Sequence, residues 1–261
     1  MNLPSVNDMP LWALFAIMVA TILTSLTIGY RAGIVVRKRA EGEPEGPIGG
    51  VVGATLGLLA FMLAFTFGVA TNRFDTRKQL LLDEVNALGT AAMRADLLPE
   101  PHRTECGRLL RQYVDARVLL TSDLSRLTET LQATEGFQAE LWSHAVALAR
   151  ADMNSDIGAL FVESINALVE LHRSRTTVAL QYRIPPVVWQ FLLLLTILSM
   201  VAVGYQFGIA GRYSAAETLI LALSFSLVVT LIADLDRSIS GIVKVNQQPM
   251  LDLQQRLSGG R

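Results

Sequence analysis

The sequence predicts an all-α membrane protein with four transmembrane helices and a helical extramembrane domain between the second and the third. The chain has 261 residues, of which 51% are hydrophobic and 17% charged. Four stretches, 11–30, 48–72, 187–211 and 218–233, contain no Asp, Glu, Lys or Arg. Because a bilayer core of about 30 Å takes roughly 20 apolar helical residues, stretches of this kind are expected to span it. The polar segment between the second and third stretches has apolar residues at helical spacing.

The first two spans are expected to form a hairpin over residues 1–72, with span one at about 11–30 and span two at about 48–72. The segment between them, 41–47, reads Glu-Gly-Glu-Pro-Glu-Gly-Pro, and glycine and proline interrupt helices. Spans joined by so short a connection are expected to run antiparallel.

Residues 73–183 are expected to form a helical cytoplasmic domain. This insertion has 13 Lys and Arg against 15 Asp and Glu, and its apolar residues recur three and four positions apart. We predict one helix over 73–98 that continues span two, a second over 103–122 and a long third over 137–183. Each is amphipathic and needs a partner for its apolar side.

A second transmembrane hairpin is expected over 184–237, with spans at about 187–207 and 215–235, followed by a polar tail over 238–261. Basic residues near the membrane set the orientation. The total favours a cytoplasmic insertion with both termini on the same side, whereas the first hairpin alone favours the reverse. Eight basic residues lie on the side of the insertion (Arg73, Arg77, Lys78, Arg173, Arg175, Arg183, Arg237 and Lys244) and five on the other (Arg31, Arg37, Lys38, Arg39 and Arg212).

Span two carries glycines four residues apart, Gly49, Gly53 and Gly57. Small residues at this spacing let a second helix backbone approach closely, which is a main packing device in lipid. The row fits packing within the chain against span one or four. It equally fits packing against copies of the same helix around an axis.

Phe61 and Phe65 follow on the same helix, also four residues apart and therefore on one face. Two such aromatic side chains fit a lipid-facing or packed surface. They also fit a ring of phenyl groups that narrows a pore, because a hydrophobic constriction can gate by dewetting.

Charged residues mark the ends of spans two and four. Arg73 and Asp75 follow span two, and Asp234, Asp236 and Arg237 end span four. Ionisable groups at a membrane boundary are candidate functional residues. They fit local pairing, with Arg237 bonded to Asp234, and they also fit a pair between the two groups that fixes how the spans meet.

Composition and motifs argue against several classes of function. The net charge of −1 gives no basic surface for nucleic acid. The single cysteine, Cys106, cannot form an internal disulfide, and no Cys and His cluster has the spacing of a metal site. We find no catalytic or phosphate-binding motif, so we expect neither an enzyme nor a cofactor.

Several motifs together resemble an uncharacterised bacterial family of bestrophin-like proteins. The resemblance covers about residues 48–251. It is carried by Gly-Leu-Leu-Ala-Phe-Met-Leu-Ala-Phe-Thr-Phe-Gly (57–68), Asn72-Arg73-Phe74-Asp75, Glu84-Val-Asn86-Ala-Leu-Gly89-Thr90, Arg94-Ala-Asp-Leu-Leu-Pro99, Tyr113-Val-Asp-Ala-Arg117, Arg183-Ile-Pro-Pro186 with Trp189, and Asp234-Leu-Asp-Arg237 with Gly241.

This resemblance implies a relation to bestrophins, which are pentameric anion channels with four spans and cytosolic helices. Their second span lines a neck of phenylalanines at four-residue spacing. Phe61 and Phe65 fit that spacing, but Val69 stands where a third aromatic residue would be expected. The sequence shows no acidic run like the bestrophin calcium clasp, so calcium gating is not implied.

We therefore expect a homo-oligomeric ion channel or pore in a bacterial inner membrane, with span two on the axis. Its expected partners are the lipid bilayer, ions and further copies of itself. The alternative is a non-conducting membrane scaffold or sensor whose helical domain binds a partner.

Overall fold

The structure, a computed structural model, describes residues 9–39, 48–122, 124–211, 213–238 and 241–259. Within these ranges the secondary structure is helical throughout, without a strand. The helices are α1 (Leu11–Arg39), α2 (Ile48–Ala95), α3 (His102–Ser122), α4 (Leu127–Ala151), α5 (Asp156–Leu180), α6 (Pro186–Ala210), α7 (Ala215–Asp236) and α8 (Gln248–Gly259), with a 3-10 turn (Leu124–Arg126) before α4.

Four of these helices, α1, α2, α6 and α7, are long and apolar enough to cross a bilayer. The predicted all-α class is thereby confirmed for the described residues, and the number of candidate spans is four, as predicted. The predicted connection over 41–47 and Arg212 lie outside the described residues.

The chain divides into two compact units. The transmembrane unit comprises the described residues of Met1–Phe74 and Arg183–Val243, and the helical unit those of Asp75–Tyr182 and Lys244–Arg261. Helix α2 is continuous and contributes its first half to one unit and its second half to the other.

The transmembrane unit has a core to which every span contributes. Ile22 of α1, Leu59 of α2, Met200 of α6 and Ile232 of α7 are fully buried in one apolar cluster. Within the apolar stretches of these helices the exposed positions are mostly apolar too, as expected for a bundle in lipid.

Helices α1 and α6 pack backbone against backbone. A Cβ on Gly204 would overlap the carbonyl oxygen of Leu26, so α6 could not lie this close to α1 with any larger residue there. Small residues four apart on both helices permit the approach. Four buried glycines form this contact: Gly29, Gly33, Gly204 and Gly208.

The helical unit is built from the second half of α2 together with α3, α4, α5 and α8. Leu88, Tyr113, Leu141, Phe161 and Met250, one from each helix, are fully buried in a single cluster. The C-terminal segment, which the sequence predicts as a polar tail, therefore contributes an apolar side chain to this core.

The predicted long helix over 137–183 is wrong, because α4 and α5 are separate helices. Asp152 accepts a hydrogen bond from the backbone N–H of Asn154 (3.0 Å), which turns the chain after α4. Ser155 then caps α5 by accepting from the N–H of Gly158 (3.0 Å). Short polar side chains compete with helical backbone bonds in this way and favour turns and caps.

Candidate functional site

One long face of α2 in the transmembrane unit is left open by the other described residues of the chain. Phe61 is 66% exposed and Phe65 60% exposed. Among the described residues, a Cβ at Gly53 or Gly57 on the same face would meet no atom within 4 Å, and a Cβ at Gly49 would meet only the Gln206 amide at 3.5 Å. These glycines thus differ from those of α1 and α6, which pack against another backbone of the same chain.

The composition of this face differs from that of the other exposed membrane surfaces. Its exposed positions are mostly glycine, alanine and phenylalanine. The exposed positions of α6 and α7 carry large aliphatic and aromatic side chains, which gain most from contact with lipid. Those residues are Phe191, Leu193, Leu194 and Leu198 on α6, and Leu219, Ile220, Leu223, Leu227 and Leu231 on α7.

An apolar groove of about 480 Å³ lies beside the open face, between α2 and α7. Its α2 wall is formed by small residues with a leucine and a phenylalanine, and its α7 wall mostly by larger apolar side chains. The lining residues are Ala60, Leu63, Ala64 and Phe67 with Ser224, Phe225, Val228 and Leu231.

The end of α7 forms a buried polar cluster around Asp236, which is 0% exposed. Its carboxylate accepts the backbone N–H of Ile184 (3.1 and 3.2 Å) and lies 3.4 Å from Arg73. Arg183 donates to the backbone carbonyl of Asp236 (2.5 Å) and to the Ser238 hydroxyl (2.8 Å). Two predicted boundary residues, Arg73 and Asp236, are therefore brought together, and the pair ties α2 and the start of α6 to α7.

Asp234 organises the chain that leaves α7. Its two carboxylate oxygens accept the backbone N–H groups of Ile242 (2.8 Å) and Val243 (2.9 Å). Gly241 has φ 151°, and a Cβ there would overlap the Asp234 carboxylate, so the turn requires glycine. Arg237 donates to the carbonyl of Met9 (2.5 Å).

The remaining boundary residue, Asp75, belongs to the helical unit. It is exposed and lies 3.4 Å from Lys78 on the same helix. An exposed pair at this spacing contributes little to stability.

The helical unit contains a buried ionic network centred on Glu84 of α2, which is 0% exposed. One carboxylate oxygen accepts the hydroxyl proton of Tyr113 (2.9 Å), and the other accepts from Arg117 (3.1 Å) and from Arg175. Arg175 also donates to Gln247 (3.1 Å) in the C-terminal segment. The network therefore joins α2, α3, α5 and the chain before α8.

Charge neighbours keep the Glu84 carboxylate ionised. Burial by itself would raise its pKa, but Arg117 and Arg175, with the hydrogen bonds from Arg175 and Tyr113, hold the pKa below its ordinary value. Burial and the nearby Glu84 charge raise the pKa of Tyr113, which therefore stays protonated and donates.

The network also selects the tautomer of His172. Tyr113 has one hydroxyl proton, and it donates this proton in its hydrogen bond to Glu84, because an ionised carboxylate can only accept. His172 Nδ1, 3.0 Å from the hydroxyl oxygen, must then donate, which leaves Nε2 as the acceptor of the neutral ring. Burial, and next the charge of Arg117, lower the pKa of His172 and favour this neutral form.

His172 lines an open pocket of about 540 Å³ between α4 and α5 of the helical unit. The pocket has polar side chains of both charges and one indole ring. Its other lining residues are Glu135, Gln138, Ala139, Trp142, Asn166, Val169 and Arg173.

The Glu84 network was not predicted from the sequence, although one signal was present. Glu84 stands between Leu81 and Leu88, three and four residues away and therefore on the same side of α2. Both leucines are buried, so a carboxylate between them had to be buried and paired. Glu84, Tyr113 and Arg117 also belong to the motifs that carry the family resemblance.

Four apolar spans, a helical unit and a continuous α2 shared by both define a multi-pass membrane protein with a bestrophin fold. The family model described as the bestrophin-like domain matches residues 18–250, and the chain belongs to this family. The fold is similar to the crystal structure of a bacterial bestrophin homologue from Klebsiella pneumoniae that carries a point mutation. That match has a TM-score of 0.65 at 15% identity and covers 93% of this chain and 98% of the other. No curated protein matches the chain.

Proposed function

We propose that the protein is a homo-oligomeric, bestrophin-like ion channel in which α2 lines the central axis. Anions are the first ions to test, and a pentamer the first assembly, because both follow from the resemblance to bestrophins. The protein acts as a passive pore and not as an enzyme.

The open face of α2 is the observation that supports this proposal best. A row of glycines exposed to lipid would leave a surface poor in contacts, whereas the same row lets copies of a helix come close together. A Cβ at Gly53 or Gly57 would meet no atom within 4 Å in the part of the chain that the structure describes. A second copy of α2 supplies a partner for this surface.

Phe61 and Phe65 form the constriction of the proposed pore. Their side chains are more than half exposed in the single chain, so ring formation requires no unpacking of the transmembrane core. Phenyl groups converging on an axis exclude water from a narrow neck and oppose ion passage until the neck widens.

The helical domain, with residues 73–183 and the C-terminal segment, is proposed to lie in the cytoplasm below a bacterial inner membrane, with both termini on that side. Basic residues near the membrane are more numerous on the side of this domain, eight against five. In this arrangement the domain follows the second membrane helix and precedes the third.

Flux through liposomes tests the proposed function. The purified protein is reconstituted into liposomes, and an anion or cation gradient is set up across their membrane. Liposomes without protein serve as the control. We expect protein-dependent flux with a preference for one charge sign. Absence of flux under all gradients, from protein shown to be oligomeric in detergent, contradicts the channel and favours the scaffold or sensor.

A further inference from the structure

Two histidines from different helices meet in the helical unit. His102 begins α3, His144 lies in α4, and their Nδ1 atoms are 2.9 Å apart. The ring centroids are 5.1 Å apart, and the rings are nearly perpendicular at 84°. Both side chains are partly buried, so water can still reach the site.

The nitrogens that meet here are potential metal ligands. A hydrogen bond between two Nδ1 atoms uses one proton, so at least one ring must be neutral. The ring that accepts this bond has a lone pair on its Nδ1, and the other ring presents one as well when its proton lies on Nε2. A neutral imidazole nitrogen is a frequent ligand of transition metals.

The distance between the two nitrogens suits one type of coordination. With metal–nitrogen bonds of about 2.1 Å, two ligands at a right angle are about 3.0 Å apart, and tetrahedral ligands about 3.4 Å. The observed 2.9 Å therefore fits neighbouring positions of an octahedral or tetragonal ion.

Charges around the pair are mixed but include two carboxylates that favour a cation. Glu105 and Glu140 act electrostatically on His144, and Arg108 opposes them. Glu105 is paired with Arg108 at 2.9 Å. In the described part of the chain, no third His, Cys, Asp or Glu completes a metal-binding group, so water must fill the other positions.

We propose that His102 and His144 form a two-histidine site for an octahedral or tetragonal transition-metal ion, such as Ni²⁺ or Co²⁺, which links α3 to α4. The ion replaces the hydrogen bond between the rings and leaves the rest of the helical unit unchanged. The site is independent of ion conduction through α2.

Direct metal binding to the full-length protein tests this site. Protein without a polyhistidine tag is titrated in detergent with Ni²⁺, Co²⁺ and, as the control, Mg²⁺, which prefers oxygen ligands. We expect one Ni²⁺ or Co²⁺ per chain, a rise of the unfolding temperature with metal concentration, and no response to Mg²⁺. The bound Co²⁺ should show the weak visible absorption of an octahedral ion.

Two single variants, His102→Gln and His144→Gln, identify the ligands. Loss of a residue that only orients a metal ligand lowers metal affinity about 10- to 100-fold, so loss of one of two direct ligands should lower it at least as much. Wild-type affinity in either variant, or no binding by the wild type, overturns the site and leaves a hydrogen-bonded histidine pair. Intense tetrahedral Co²⁺ absorption overturns the proposed coordination.

Discussion

Matched glycine substitutions on α6 and α2 distinguish packing within the chain from packing between chains. Gly204 of α6 lies against the backbone of α1, whereas a Cβ at Gly57 of α2 would meet no atom of the described residues within 4 Å. Both are glycines in membrane helices. We expect Gly204→Ala to destabilise the folded chain and Gly57→Ala to leave it intact.

The structure gives the size of the difference. A Cβ at Gly204 overlaps the carbonyl oxygen of Leu26, so α1 and α6 must separate by roughly 1 Å to restore van der Waals contact. Overpacking of this kind costs about 1–3 kcal/mol. Alanine at Gly57 overlaps none of the described residues and improves helix propensity by roughly 0.5–1 kcal/mol. Alanine gains the same helix propensity at Gly204, so this gain cancels in the comparison. The two variants should therefore differ by the overpacking cost alone, about 1–3 kcal/mol in the free energy of unfolding of the chain.

Two measurements complete the comparison. Unfolding of both alanine variants in mixed micelles gives the stability difference, and light scattering of Gly57→Leu gives the assembly. We expect Gly57→Leu to remain folded and lose the oligomer, because leucine holds neighbouring copies of α2 apart. If Gly204→Ala is as stable as the wild type, the close approach of α1 and α6 is refuted. If Gly57→Leu keeps its oligomer, the α2 face is not the interface.

Three further predictions concern the helical unit. Glu84→Gln removes the negative charge between Arg117 and Arg175 and should lower the free energy of unfolding, measured with denaturant, by about 3–5 kcal/mol. An unchanged denaturation midpoint would show that these buried ion pairs do not stabilise the fold. The folded pKa of Glu84 lies below its ordinary 4.5, so its contribution to stability is complete above that pH. This contribution should decline as the pH falls through the folded pKa of Glu84. If the free energy of unfolding falls with pH equally steeply in the wild type and in Glu84→Gln, this expectation is contradicted. Cys106 is buried, and burial raises its pKa to about 12, so it should resist thiol reagents. Met153 is 90% exposed, so the introduced thiol of Met153→Cys should be labelled by a membrane-impermeant reagent, but only after the membrane is opened. Labelling of this variant in intact cells would reverse the proposed orientation.

The four spans were predictable because each is an apolar run of bilayer length without a charge, a signal that does not depend on tertiary contacts. The break between α4 and α5 was missed because the apolar periodicity on either side of 152–155 outweighed the local preference of Asp, Asn and Ser for turns. Tertiary context and the local capping side chains determine where α4 ends and α5 begins.

The contacts of the two buried polar clusters, around Asp236 and around Glu84, could not be predicted from the sequence. Arg73 and Asp236 were suspected as partners, but the capping of the Ile184 N–H by Asp236 depends on how α6 enters the membrane. Glu84 and Arg175 are separated by 91 residues, and no local pattern joins them. The glycines of α1 and α6 carried the same spacing signal as those of α2, yet spacing alone does not say which helix lies opposite.

Ion flux through the Phe61→Ala/Phe65→Ala double variant tests the central claim, that α2 lines a pore, most directly. Both side chains are exposed in the single chain, at 66% and 60%, so the fold of the chain does not depend on them. Their removal widens the proposed neck and lowers its barrier to wetting. We predict that the assembled double variant conducts more ions than the wild type in the same liposomes. Flux equal to or below that of the wild type, from double variant that remains oligomeric, would contradict the placement of these residues on the conduction axis.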